Sequence, residues 1–203
     1  MEITVLGASG ATGRELTRQA LARGHTVVAL ARTPEKLSDF DSHMLTRVAA
    51  DVRDPASMAA ALAGRQVVVS GLGIARGDQP GALVAGARAL AGVPRVVWLG
   101  AFGTGPSARA GGPVTRALLR MLGDQLADKV AADAMVLQAG GTVFHAGPLS
   151  NGPLSPSRRT AALRDAPKRL LPAMVSRATV AAAMLDEAEH PAYAGGVALP
   201  LPR

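Results

Sequence analysis

Short continuous apolar runs alternate with helically periodic segments along the chain. The run 2–6 (EITVL) is β-rich and ends at a glycine. Residues 11–23 place Leu16, Ala20 and Leu21 on one helical face, and Gly24 stands where a C-terminal cap would. The run 25–31 (HTVVALA) is a second, buried strand. Pro34 opens a short helix through Phe40, at the position where proline is tolerated. A third strand covers 44–50. Asp54 caps a helix through Leu62, and 65–71 is a fourth strand. A helix over 80–91 precedes a fifth strand at 95–100. Residues 101–113, rich in Gly, Pro and Ser, read as a loop before a helix over 114–138 that breaks near Gly123. The sixth strand is 142–147, followed by a loop over 148–158. From 160 to 190 the pattern is mostly helical, interrupted at Pro167 and Pro172, and 197–201 is a last short strand.

Alternating strands and helices, with strands apolar on both faces, predict a parallel sheet covered by helices on both sides. The fold class is α/β, a Rossmann-like doubly wound sheet in a single domain over 1–203. Residues 1–110 form its cofactor-binding part and 111–203 its substrate-covering part. The ligand belongs at the carboxyl ends of the strands, where the strand order switches.

Composition narrows the function. There are no cysteines, which excludes a disulfide scaffold, thiolate metal sites and a cysteine nucleophile. Aromatic residues make up 2% of the chain, so the core is built from Ala, Val and Leu, and stacking platforms for single-stranded nucleic acid are not expected. The net charge of +7 fits a phosphorylated small ligand as well as it fits nucleic acid. The start, MEITVLGASG, lacks a basic segment and meets glycine at Gly7, so a signal peptide is not expected. No apolar run approaches the roughly 20 residues of a membrane helix. A cytoplasmic protein, monomer or homodimer, is the expectation.

The chemistry concentrates in Gly7-Ala8-Ser9-Gly10-Ala11-Thr12-Gly13, set between the first strand and the first helix. Gly7 allows the turn off the strand, Gly10 lets a pyrophosphate approach the backbone, and Gly13 lets helix and sheet pack closely. The helix N-terminus then meets the phosphates through Ser9, Ala11 and Thr12. The second strand ends in Ala31-Arg32-Thr33-Pro34-Glu35-Lys36 with no acid at its tip. A planar arginine fork at Arg32, with donors from Thr33 or Lys36, suits a ribose 2′-phosphate and predicts NADP(H) as the cofactor. After the third strand, Asp51 either accepts from the adenine amino group, with Val52 covering the ring, or caps a turn. Gly71 and Gly73, after the fourth strand, let the backbone run along the cofactor ribose.

These segments resemble the atypical short-chain dehydrogenase/reductase family, and within it the NAD(P)H-binding group of NmrA-like proteins and flavin reductase/biliverdin reductase B types. The resemblance rests on GASGATG (7–13), GHTVVALARTPEKL (24–37), ADVRDP (50–55), VVWLGAFGTG (96–105), GTVFHAGPLSNGP (141–153) and SRATVAAAML (176–185). Better-known members use a Ser, Tyr and Lys, the last two spaced Tyr-x-x-x-Lys on one helix face. The resemblance makes Lys129 that lysine, which in the family holds the nicotinamide ribose. Gln125 stands where the tyrosine would, and the serine position reads Leu99-Gly100-Ala101. The only tyrosine, Tyr193, falls in a late turn. Flavin and biliverdin reductases of the group also work without the triad.

His145 replaces the group's Arg in the sixth strand, either as a proton donor or substrate contact, or as a histidine satisfied at a strand end. Gln125, Lys129 and His145 are thus the catalytic candidates. Asp124, Asp128 and Asp133 read mostly as solvated or capping charges, and Asp128 beside Lys129 is either an ion pair or a catalyst. The stretch Arg158, Arg159, Arg164, Lys168, Arg169 and Arg177 either attracts an anionic substrate or forms a solvated basic face. Met121, Met135 and Met174 either line a plastic pocket or belong to the core. No residues have metal-ligand spacing. The expected function is NADPH-dependent reduction of a flat conjugated acceptor such as a flavin or quinone. The alternatives are an NADP(H)-sensing regulatory protein without turnover, and a biosynthetic tailoring enzyme on the same scaffold. The expected partner is a small molecule, anionic or aromatic, not a membrane or nucleic acid.

Overall fold

The computed structural model describes residues 1–74, 79–112, 115, 117, 119, 123–166 and 173–202 of the 203-residue chain. Met121, Pro167, Lys168, Arg169 and Pro172 lie outside the described residues. An eight-stranded sheet forms the centre. Strands β1 (Glu2–Leu6), β2 (Thr26–Ala31), β3 (Leu45–Ala49), β4 (Val67–Ser70), β5 (Arg95–Ala101) and β6 (Thr142–Ala146) are parallel, in the order β3-β2-β1-β4-β5-β6. Two short strands, β7 (Leu149–Ser150) and β9 (Val175–Ser176), pair apart from the main sheet. Beyond β6 comes β10 (Val197–Leu201), parallel to it, and then β8 (Arg159–Ala162), antiparallel to β10 at the edge.

Side chains alternate between two cores, as the period of a strand requires. Ile3, Val5, Val27, Ala29, Val67, Val69, Val97 and Leu99 face α1 (Ala11–Ala22) and α5 (Arg177–Glu189). Leu6, Val28, Leu30, Val68, Val96 and Trp98 face α2 (Pro55–Leu62), α3 (Ala82–Ala89) and α4 (Asp124–Gln138). Helix α5 is buried almost all round, because one side meets the sheet and the other meets α1. It starts at Ser176, whose hydroxyl accepts from Thr179 N at 3.1 Å. Its Glu187 is buried and accepts from Thr142 Oγ1, Ala192 N and Tyr193 N, which folds the turn into β10.

Three parts of the sequence reading are corrected. Within 160–190 helix dominates the described residues at 177–189, but strands β8 and β9, which the pattern did not predict, precede it. Alanine-rich Arg159–Ala162 has helical propensity, but pairing with β10 overrides it. That pairing also makes the sheet mixed, not wholly parallel. The expected helix 34–40 is a single 3-10 turn over Pro34–Leu37.

Asp128, read as a solvated or capping charge, is buried on α4 and takes the capping role. Its two oxygens accept from Leu83 N at 3.1 Å and Val84 N at 3.0 Å. It thereby caps α3, whose own N-cap, Gly81, offers no side chain. Asp128→Asn keeps one acceptor and turns an amide toward the second donor. A loss of about 1–2 kcal/mol is expected, read as a lower urea midpoint with an unchanged slope.

Candidate active site

The strand order reverses between β1 and β4, and a cleft of about 660 Å³ opens at the carboxyl ends of the strands. Its volume lies within the range of small-molecule and cofactor sites. One wall is the loop between β1 and α1. Gly7 holds φ +72°, and Gly10 N donates to Gly7 O at 3.0 Å, closing the turn. A Cβ on Gly13 would lie 2.1 Å from Gly7 O and 2.7 Å from Ala8 Cα, so only glycine fits there. Gly7, Ser9, Gly10, Ala11 and Thr12 line the cleft, whereas Gly13 packs beneath it. Helix α1 has no side-chain cap and no acid in its first turn. Its positive end is therefore open to an anion.

At one end of the cleft stand Arg32 and Lys36, both exposed. Thr33 is also exposed but is not among the residues lining the cleft. Next to them lie Asp51, Val52 and Arg53. Asp51 Oδ1 accepts from Arg53 N at 2.9 Å, forming an Asx turn, so this side chain both shapes the turn and faces the cleft. Arg53 reaches across to Gln79 O at 2.5 Å and ties down the far end of the loop that carries Gly71 and Gly73. Both of these glycines line the cleft.

At the other end, Leu99, Gly100, Ala101, Ala146, Gly147 and Leu149 form a small-residue floor, with Lys129 and Arg177 beside it. Lys129 comes from α4, four residues before the buried Asp133 and next to the buried Asp128. Burial pulls its pKa below the ordinary lysine value, and the charges of Asp133 and Asp128 only partly oppose that.

Beneath this floor sits a buried polar network. His145 Nδ1 is 2.6 Å from Ser107 Oγ, and His145 Nε2 is 3.2 Å from Asp133 Oδ2. Asp133 Oδ1 also accepts from Trp98 Nε1 at 3.1 Å. A Cβ on Gly100 would meet His145 Cδ2 at 2.7 Å and Asp133 Oδ2 at 2.9 Å, so one layer of backbone separates the pair from the cleft. The trio does not work as a hydrolytic triad. All three residues are buried, and Ser107 Oγ already accepts from Gly103 N at 2.8 Å.

The structure thus brings Lys129 to the cleft but keeps His145 out of it, satisfied at its strand. Gln125 is half-buried and does not line the cleft. Tyr193 donates to Thr160 O at 3.1 Å, away from the site. Met135 packs against the core and Met174 is exposed. Of the basic stretch, Arg158 pairs with Asp186 and Arg177 lines the cleft. Arg53 was missed, although its place in Asp51-Val52-Arg53-Asp54 marks it as cleft-facing. Among the described residues, no His, Asp or Glu cluster could hold a metal, and no helix is long and apolar enough to cross a membrane.

Residues 7–191 match the NAD(P)H-binding family. The chain belongs to that family. This agrees with its likeness to the atypical short-chain dehydrogenase/reductase group. Among solved structures, the anaerobilin reductase ChuY of Escherichia coli O157:H7 superposes with a TM-score of 0.79 at 20% identity, covering 99% of this chain and 97% of that one. A candidate exported protein of Burkholderia pseudomallei is 31% identical, with 98% of each chain covered and a TM-score of 0.70. A candidate NADH-flavin reductase of Streptococcus pneumoniae is 18% identical over the whole of both chains, with a TM-score of 0.75. Among curated proteins, an uncharacterized protein of Mycobacterium tuberculosis is 42% identical over 72 residues, 34% of this chain and 8% of that protein. The photosystem II assembly factor Ycf39 of Synechocystis is 33% identical over 69 residues, 34% of this chain and 21% of that protein. The family's nicotinamide cofactor fits the open helix end and the cationic lining of the cleft.

Proposed function

We propose that the protein is an NADPH-dependent reductase of a flat conjugated acceptor, such as a flavin, quinone or related pigment. The observation that carries this reading is one continuous cleft. It runs from Arg32 and Lys36, past the open N-terminus of α1, to Lys129 over a floor of small residues. Arg32 and Lys36 would hold the 2′-phosphate, with Thr33 as a further donor. Ser9, Gly10, Ala11 and Thr12 would hold the pyrophosphate, beside Gly7 and above Gly13. Asp51 and Val52 would meet the adenine, and the backbone at Gly71 and Gly73 the ribose. The bound nicotinamide supplies a hydride.

The chain's own contribution is placement and a proton. Gly100 and Ala101 leave room for a flat ring, and Leu99 and Leu149 add apolar surface to the same floor. Lys129 holds a proton at Nζ in a partly desolvated position, where a lowered pKa eases its release to a reduced acceptor. Arg177 adds a second positive charge at that end, suited to an acceptor that carries a carboxylate or phosphate.

The test is loss of nicotinamide absorbance with a panel of flavins and quinones, each assayed with NADPH and NADH. Turnover with NADPH ahead of NADH is expected. A protein that binds NADPH yet consumes none across the panel would sink the reductase reading and favour the cofactor-sensing one. That second reading draws on the absence of a hydroxyl among the described lining residues beside Lys129.

A further inference from the structure

The 3-10 turn that carries Lys36 into the cleft is one turn long, so its carbonyls have few partners within the turn itself. Two arginines add donors, at Lys36 O and at Leu37 O, the second of which also accepts from Phe40 N at 3.1 Å. Arg14, the first residue after the glycine motif, donates from Nη1 to Lys36 O at 2.7 Å and from Nη2 to the Asp39 carboxylate. Its guanidinium also lies 4.9 Å from the centre of the Phe40 ring. Arg47, on β3, donates from Nε to Leu37 O at 3.0 Å and from Nη2 to Phe40 O. Below the turn, Leu37 and Phe40 are sunk in the core. The segment 36–40 is therefore gripped by two arginine forks and by two buried apolar anchors. Neither Arg14 nor Arg47 lines the cleft, while Lys36 and Arg32 do.

We infer that Arg14 and Arg47 are positioning residues for cofactor choice. They hold the 34–40 turn so that Lys36, beside Arg32, is preorganised for a ribose 2′-phosphate. This rests on the NADPH preference proposed above. A phosphate grip gains affinity when its donors are fixed before binding, because the ordering cost is already met. Planar forks suit the task, since each engages two acceptors at fixed spacing. Loosening the turn leaves the rest of the cleft intact. The loss should therefore fall on the phosphorylated cofactor alone.

The experiment measures Kd for NADPH and NADH by nicotinamide fluorescence. It compares the wild type with Arg14→Gln, Arg47→Gln and Arg47→Lys, with melting temperature alongside. Each variant is expected to weaken NADPH by about tenfold while NADH changes by less than about twofold. Arg47→Lys should behave like Arg47→Gln, because it keeps the charge and loses the fork. The inference is overturned if the variants lose melting temperature but keep the wild-type NADPH/NADH ratio. It is also overturned if Arg47→Lys restores that ratio in full, since charge would then suffice. A wild-type protein that does not distinguish the two cofactors overturns the NADPH reading itself. NADH binding reports the fold of each variant, and the two arginines can be tested separately if one substitution prevents folding.

Discussion

Replacing Lys129 with methionine is expected to cut NADPH turnover by about a hundredfold or more while making the apo protein more stable. The two effects have one cause. Lys129 is partly withdrawn from water, which disfavours its ammonium and lowers its pKa. The folded state therefore bears a cost for keeping the charge, and methionine of similar length removes it. A gain of about 1 kcal/mol corresponds to roughly 2–4 °C at this chain length. The sign with pH follows. Because the folded-state pKa is depressed, the unfolded chain binds more protons between that pKa and about 10.4. Wild-type stability should rise across that window as the cost is relieved. The advantage of the variant should shrink in parallel. Thermal melts of both proteins from neutral pH to about pH 10 check this, and a constant gap would remove the desolvation argument. Turnover falls because the proton at Nζ and the positive charge beside the acceptor disappear together.

Gly13→Ala should do more damage than any conservative substitution elsewhere in the cleft. Helix propensity favours alanine by up to about 1 kcal/mol inside a helix. The new Cβ, however, would sit 2.1 Å from Gly7 O and 2.7 Å from Ala8 Cα. Both are backbone atoms of the glycine loop and cannot rotate away. Either α1 moves off the sheet or the loop opens. The net expectation is a loss of about 3 kcal/mol, at the upper end of overpacking costs. A loss of NADPH binding by more than about a hundredfold should accompany it, since the same loop shapes the cradle. Calorimetric titration of the folded variant separates the two. Near-normal affinity would mean that the helix end is not where the phosphates sit.

Much of the architecture was legible from local pattern. Strands such as Val67–Ser70 are apolar on both faces, and the glycine motif sits between strand and helix, so period and turn chemistry suffice. The cleft residues Gly7, Arg32 and Asp51 were also readable, because each stands at a strand tip, and Lys129 was reached through the family resemblance. What escaped depends on partners distant in sequence. Arg159–Ala162 is a strand only because β10 lies beside it. Asp128 bonds the α3 amides some 45 residues away. Of the two readings of His145, a residue satisfied at its strand end fits the geometry, but its partners Asp133 and Ser107 could not be named from local pattern. Arg14 and Arg47 carry no motif that announces their grip on the 34–40 turn.

Helix α5 has a consequence for how the chain is made. Its residues Thr179 to Leu185 fill the core on the face of the sheet that also carries α1. Gln19 of α1 donates to Ala178 O at 2.9 Å, and Arg23 pairs with Glu189 at 2.9 Å, so the helices meet along their length. During synthesis the glycine loop and its flanking strands emerge long before this wall. Ile3, Val5, Val27 and Val69, covered early by α1, must wait for the rest of their cover until residues 177–189 have left the ribosome. The nascent protein is thus a natural client for chaperones that bind apolar surface. A fragment ending before residue 177 should aggregate even though it contains every residue proposed to touch the cofactor.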